Sequence, residues 1–185
     1  MKAGKKPDRR VARTRALVLG AFYELIVERN YDGFGAGDVI ERAGVGRSTF
    51  YEHFQNKDDV FEQSVAQPLG ALAEALFAVS PDAPRPIAEH MWEQRELGRV
   101  VFNGAARLVM ERVLARLLAE RLEARRRAAS RASPHTLPSE LVSAHLAGGQ
   151  LALIAAWIGG DAPCDAATVA RALHTAARAA VDAFF

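Results

Sequence analysis

The chain has 185 residues, half of them hydrophobic and a quarter charged, with a formal net charge of +2. That balance is ordinary for a soluble globular protein, whose core can be sizeable and needs no disulfide to hold it. A single cysteine, Cys164, excludes an internal disulfide and a thiolate metal cluster, and its neighbours Pro163 and Asp165 do not supply the basic surroundings of a redox thiol.

The charge is unevenly spread. Residues 1–15 carry Lys2, Lys5, Lys6, Arg9, Arg10, Arg13 and Arg15 against Asp8 alone. Such an arm suits a phosphate backbone or an anionic surface. The residues that follow are amphipathic and include Glu24 and Glu28, unlike the apolar core of a secretory leader. The most apolar stretch, Leu151–Ile158, is much shorter than the roughly 20 residues of a membrane span. These features predict a cytoplasmic protein.

The predicted elements are all helical, in about nine helices. The first runs from about Arg9 to Glu28, with Ala16, Leu17, Ala21, Leu25 and Ile26 on one stripe. Asn30 follows as a left-handed stop, and Gly33, Gly35 and Gly37 mark a turn. A short helix over about Gly37–Ala43 turns Val39, Ile40 and Ala43 inward. Gly44-Val45-Gly46 separates it from a second short helix, Arg47–Phe54. Asn56 then reads as a cap for a long helix to about Val79, with Asp58 and Asp59 in its first turn and Val60, Phe61, Val65, Leu69, Leu72 and Leu76 inward.

A proline-rich linker, Ser80–Pro86, precedes a helix over about Ile87–Leu97, with breaks at Gly98 and at Asn103-Gly104. A long helix spans about Ala105–Arg131. Its apolar positions Leu108, Val109, Val113, Leu114, Leu117, Leu118 and Leu122 sit opposite arginines 107, 112, 116, 121 and 125, which read as a solvated face. Ala132–Pro138 is a second linker. Two helices close the chain, one capped by Ser139 and running to Ile158, the other capped by Asp165 and running to about Ala183.

Two short helices joined by a tight glycine turn make a helix-turn-helix, in which the first braces the second and the second presents its outer face to a major groove. Phe50 and Phe54, four residues apart, form the buried face of the presented helix. Arg47, Ser48, Thr49, Tyr51 and His53 lie toward the other side. Arg47 can pair bidentately with guanine; Ser48 and Thr49 suit base edges or phosphates; Tyr51, His53 and Lys57 suit phosphate oxygens.

The run Ala43-Gly-Val-Gly-Arg-Ser-Thr-Phe-Tyr-Glu-His-Phe-Gln-Asn-Lys-Asp-Asp-Val-Phe61 closely resembles the signature of TetR-family (tetracycline-repressor) regulators, and the resemblance covers roughly residues 9–65. It implies an N-terminal DNA-binding domain, 1–55 with its basic arm, and a C-terminal effector-binding and dimerisation domain, 56–185. Residues 47–54 match the recognition helix. Tyr51, His53 and Lys57 match phosphate-contacting positions, Thr49 a backbone or base contact, and Arg47 a variable base-reading position. There is one departure. The family places threonine or serine at the start of the second helix, where Phe34-Gly-Ala-Gly37 stands here without a hydroxyl.

The closing helices resemble the pair with which members form a four-helix bundle across a dimer. Small residues on both helices suit close backbone approach, and Ala147, Gly148, Ala152, Ala155, Leu173, Ala177 and Val181 are the expected interface. The resemblance also implies an effector pocket among the middle helices, with Met91, Trp92, Phe102, Met110 and Trp157 as its candidate wall and an apolar or aromatic small molecule as ligand. The five histidines show no close metal spacing, and no nucleophile or phosphate loop accompanies His90 and its neighbouring glutamates. The expected function is therefore a homodimeric regulator, without cofactor, metal or catalytic residues, that a small molecule releases from an inverted-repeat operator on double-stranded DNA. Two other readings stay open: a regulator whose C-terminal domain only dimerises, and a helical ligand carrier or enzyme.

Overall fold

A computed structural model describes residues 9–102, 104–128 and 137–184. Lys2, Lys5, Lys6 and Asp8 of the basic arm, the break residue Asn103, residues 129–131 at the expected end of the long helix and the 132–136 part of the second linker lie outside the described residues. Among the described residues all regular structure is helical: α1 (Arg9–Arg29), a single 3₁₀ turn (Tyr31–Gly33), α2 (Ala36–Ala43), α3 (Arg47–Tyr51), α4 (Lys57–Ala75), α5 (Arg85–Glu93), α6 (Arg95–Val101), α7 (Gly104–Ala128), α8 (Ser139–Gly159) and α9 (Ala166–Phe184).

The chain divides into two compact units, Met1–Ser64 and Val65–Phe185. The boundary falls inside α4 and not at residues 55–56, because the first two turns of α4 pack into the N-terminal core. Val60 and Phe61 are completely buried, and the Phe61 ring stacks on Phe22 with centroids 5.6 Å apart. Phe22 also meets Phe34 edge-on at 5.5 Å, and Tyr31 lies 5.5 Å from Phe61. Burying each such ring contributes about 1.5–3 kcal/mol, so this cluster fixes α1, the 3₁₀ turn and α4 around one centre.

The α1 stripe is rotated from the expected one. Thr14, Val18, Ala21, Phe22, Leu25 and Ile26 are buried, whereas Ala16 is exposed and Leu17 is 46 % exposed. The larger Phe22 sets the inward direction, and Val18 lies one turn before it. Asn30 has a positive φ of 56° at the helix end, but its ψ of 171° places it outside the left-handed helical conformation expected of a stop. At α4, Asn56 Oδ1 accepts the Asp59 backbone N–H at 2.9 Å, a side-chain cap. That helix stops at Ala75, short of Val79, through two tight turns in which Phe77 and Ala78 donate to Glu74 and Ala75. Val79 is fully exposed.

In the C-terminal unit, Leu114, Leu118 and Leu122 of α7 and Leu151, Ile154 and Ile158 of α8 are completely buried. Leu108 is 60 % exposed and belongs to the outer face instead. Two of the arginines expected to be solvated are engaged inside the unit. Arg121 donates to Gly70 O at 3.1 Å, and Arg125 donates to Phe77 O at 2.8 Å while lying over the Phe77 ring. The expected break at Gly98 lies at Gln94 (φ −96°, ψ 20°), between α5 and α6. Gly98 itself is helical and closely packed: an added Cβ would lie 3.2 and 3.3 Å from the Ile158 side chain. The helix α5 begins at Arg85, inside the expected linker, with Pro86 in its first turn, where a missing N–H costs nothing.

Ser139 does not cap α8; it is the first helical residue, completely buried, and its hydroxyl donates to the Glu123 carboxylate of α7. Asp165 does cap α9, accepting the Thr168 N–H at 2.6 Å, and this bond holds its carboxyl below the usual range. By length and composition α8 is a 21-residue helix apolar enough to cross a membrane, so the eight-residue stretch read from the sequence understates it. Half of its most apolar window is buried inside the protein. Its buried Gln150 donates to Leu173 O of α9 at 3.1 Å.

Candidate nucleic-acid interface and ligand cavity

The turn between α2 and α3 is set by two glycines. Gly44 takes φ 62° and ψ 31°, a left-handed conformation that costs a side chain strain. Its N–H and that of Val45 return to Glu41 O and Ile40 O, closing the end of α2. Gly46 is extended and accepts the Phe50 N–H at 2.9 Å, which starts α3.

The presented helix is shorter than expected, ending at Tyr51. Helix-like bonds continue past it, from Glu52 N–H to Ser48 O and from Phe54 N–H to Phe50 O. The face division holds: Phe50 and Phe54 are buried with centroids 5.6 Å apart. On the other side Arg47 and Ser48 are exposed, Tyr51 is 49 % exposed, and Thr49 and His53 are half-buried. Arg9, Arg10 and Arg13 are exposed on α1.

Two groups behind this face escaped the sequence reading. Arg15, counted with the basic arm, turns inward: its guanidinium lies 5.4 Å from the Phe54 ring centroid and donates to Gln63 Oε1 at 2.5 Å. Gln63 in turn donates to His53 O and to Asp59 Oδ1, tying the end of α3 to α4. The signal for Gln63 was its place one turn after Asp59 on the same helix face. Arg42 of α2 is held against α1 by Glu28, through bonds of 2.9 and 2.8 Å, and by Glu24 at 3.2 Å. The Arg42 hydrogen bond, opposed by slight desolvation, draws the Glu28 carboxyl below its ordinary range.

The start of α2 has no hydroxyl cap, and the carboxylate of its first turn reaches back to the cap residue instead. Asp38 accepts the Gly35 N–H at 2.8 Å, and that bond is the largest cause of its lowered pKa. The preceding loop is fastened from α4. The Lys57 ammonium donates to Tyr31 O at 2.6 Å and to Phe34 O at 3.0 Å, and lies 4.3 Å from the centroid of the Tyr31 ring. Tyr31 donates to Asp58 Oδ1 at 2.6 Å. Lys57, expected to point at phosphate, is thus held by two carbonyls of its own unit.

In the C-terminal unit a cavity of about 130 Å³ opens among α4 to α7. Val65, Pro68 and Leu69 of α4 form one wall; His90, Met91 and Gln94 lie around the α5–α6 break. Leu97, Gly98, Val101 and Phe102, with Met110 of α7, complete it. Of the five candidate wall residues, Met91, Phe102 and Met110 line this cavity. Trp92 and Trp157 do not: they stack on each other at 4.9 Å, and the Trp157 indole N–H is taken by Cys164 O. His90 and Gln94 were missed as lining residues, because the helix break that brings them to the cavity was placed four residues too late.

The expected dimer residues also divide. Ala147, Leu173 and Ala177 are at most 1 % exposed within the chain's own helices, so they are not available to a partner. Ala152 is exposed, and Gly148, Ala155 and Val181 are partly so. Among the described residues, no group of three or more His, Cys, Asp or Glu side chains is placed to hold a metal ion.

Residues 18–63 match the family model for bacterial regulatory proteins of the tetR family. Among curated proteins, the uncharacterised HTH-type transcriptional regulator YxbF of Bacillus subtilis is 31 % identical over 80 residues, 42 % of this chain. The matched stretch is only 21 % of that relative's length. A TetR-family regulator from Streptomyces coelicolor A3 superposes with a TM-score of 0.61 at 20 % identity, covering 97 % of this chain and 99 % of that one. FadR of Thermus thermophilus, a TetR-family repressor solved with lauroyl-CoA, gives 0.55 at 21 % identity over 89 % and 93 %. Residues 18–63 thus match the tetR family model, and the chain as a whole has the helical fold of the solved regulators it resembles.

Proposed function

We propose that this protein is a cytoplasmic, sequence-specific DNA-binding transcriptional regulator, a homodimeric repressor released from an inverted-repeat operator by a small molecule. The observation that carries the reading is the two-sided α3. Phe50 and Phe54 are buried against the N-terminal core, while Arg47, Ser48 and Tyr51 stand exposed on a helix held by a three-residue turn. Arg47 reads a base edge, with Ser48 and Thr49 beside it, and Tyr51, His53, Arg9, Arg10 and Arg13 meet phosphates. Lys57 serves this surface by holding the loop before α2.

Support for the dimer comes from the outer faces of the last two helices. Leu141, Ala152 and Ala156 of α8 and Ala172, Ala176 and Ala179 of α9 are exposed and small or apolar. Gln150 Oε1, buried beside this surface, has no hydrogen-bond donor among the described residues. A second copy packed here covers the apolar face and sets two α3 helices on two half-sites. The effector acts by binding one of two dimer states better than the other. No observation favours the carrier or enzyme reading over this one.

The test is Arg47→Ala and Tyr51→Ala in operator binding. Loss of affinity in folded variants supports the reading; retention of full affinity in both overturns the placement of the DNA surface.

A further inference from the structure

The α4–α7 cavity constrains its ligand in size, charge and polarity. Its volume of about 130 Å³ is close to the about 150 Å³ of an apolar protein cavity that accepts one benzene ring. A second fused ring or a long acyl chain exceeds this volume and would have to project through the open mouth. The floor is apolar: Leu69, Val101, Phe102 and Met110 are at most 7 % exposed. Among the described residues the lining holds no carboxylate, lysine or arginine, so a charged ligand gives up hydration without a counter-charge there. Two polar side chains, His90 and Gln94, stand four residues apart at the rim, and both are exposed at the surface. One helical turn of spacing lets both reach one polar substituent.

We propose that this cavity takes a neutral, single-ring molecule bearing one hydroxyl, with the ring on the Phe102–Met110 floor and the hydroxyl at His90 and Gln94. The ligand class deepens the effector reading above and rests on it for its regulatory meaning, although binding itself is independent of DNA. Phenols meet the description. The imidazole accepts the phenolic proton or donates to its oxygen, and the Gln94 amide can do either.

The experiment is calorimetric titration of the full-length protein with phenol, toluene, benzoate, 2-naphthol and octanoate, alongside operator binding measured without ligand. Phenol is expected to bind at least ten-fold more tightly than benzoate, 2-naphthol or octanoate. His90→Ala should weaken phenol about five- to ten-fold and leave toluene unchanged. Met91→Trp, which fills the mouth from a half-buried position, should abolish both while the fold, checked by circular dichroism, is kept. A folded wild type that ignores phenol, or prefers octanoate or 2-naphthol, overturns the proposal. So does a His90→Ala variant that loses phenol and toluene equally. Phenol binding without any operator binding supports the cavity assignment and sinks the regulator reading; operator binding without phenol binding does the reverse.

Discussion

Replacing Lys57 with methionine separates two roles that look identical in a simple binding assay. The sequence reading makes Lys57 a phosphate contact, whereas the structure shows its ammonium donating to Tyr31 O and Phe34 O and lying over the Tyr31 ring. Hydrogen bonds to a charged group are worth about 1.5–3 kcal/mol each. Lys57 is half-exposed, so the freed carbonyls recover water and about 1 kcal/mol for each is the appropriate figure. A cation–π contribution of about 0.5–1 kcal/mol brings the loss to about 2–3 kcal/mol. That corresponds to a roughly 30- to 150-fold faster local opening. Hydrogen exchange of the full-length protein, read by mass spectrometry over residues 31–54, should show the increase, with residues 139–184 unaffected. The dependence of DNA binding on salt supplies the second readout. Loss of one phosphate contact lowers the slope of log K against log salt by about 0.9, whereas loosening the loop leaves it in place. Unchanged exchange over 31–54 together with a slope reduced by about 0.9 would refute the latch and restore the phosphate contact.

Other consequences follow from single residues. Arg47→Ala should cost about 1–3 kcal/mol at a guanine-containing site and relax sequence preference there, measured by fluorescence anisotropy on matched and mismatched duplexes; equal loss on all sequences contradicts base reading. Glu28 has a folded pKa below its unfolded one, chiefly through its Arg42 hydrogen bond, so its contribution is present at neutral pH and lost as pH falls through the carboxylate range. Urea midpoints of wild type and Arg42→Met should therefore differ at pH 7 and converge as pH falls through the carboxylate range, and a constant difference would exclude the pairing. Gly98→Val places methyl groups against Ile158, where a Cβ alone already lies at 3.2 Å. It should lower stability by about 1–3 kcal/mol, and an unchanged thermal midpoint would show that α6 can shift freely.

Helix positions and faces were largely legible in the sequence because apolar spacing reports burial directly. The pair Phe50 and Phe54, the inward residues from Val60 to Leu76 along and just past α4, and the caps at Asn56 and Asp165 all stand as read. The failures share a cause: long polar side chains whose partners lie far away in sequence. Arg15, Arg121 and Arg125 read as charged surface, yet each reaches a glutamine or a backbone carbonyl at least 48 residues away. Small-residue stripes misled in another way. Ala147 and Ala177 pack inside one chain while Ala152 faces outward, and composition cannot separate the two. The cavity was half legible, since Met91, Phe102 and Met110 line it but the tryptophans stack on one another.

Selection of binding sites from random duplex DNA at near-physiological salt tests the central claim most directly. The account predicts an inverted repeat whose half-sites lie about a helical turn or more apart and contain a guanine whose preference disappears with Arg47→Ala. Recovery of no consensus, with only steeply salt-dependent binding, would contradict it: the basic N-terminal residues would then bind DNA without the exposed face of α3 reading sequence.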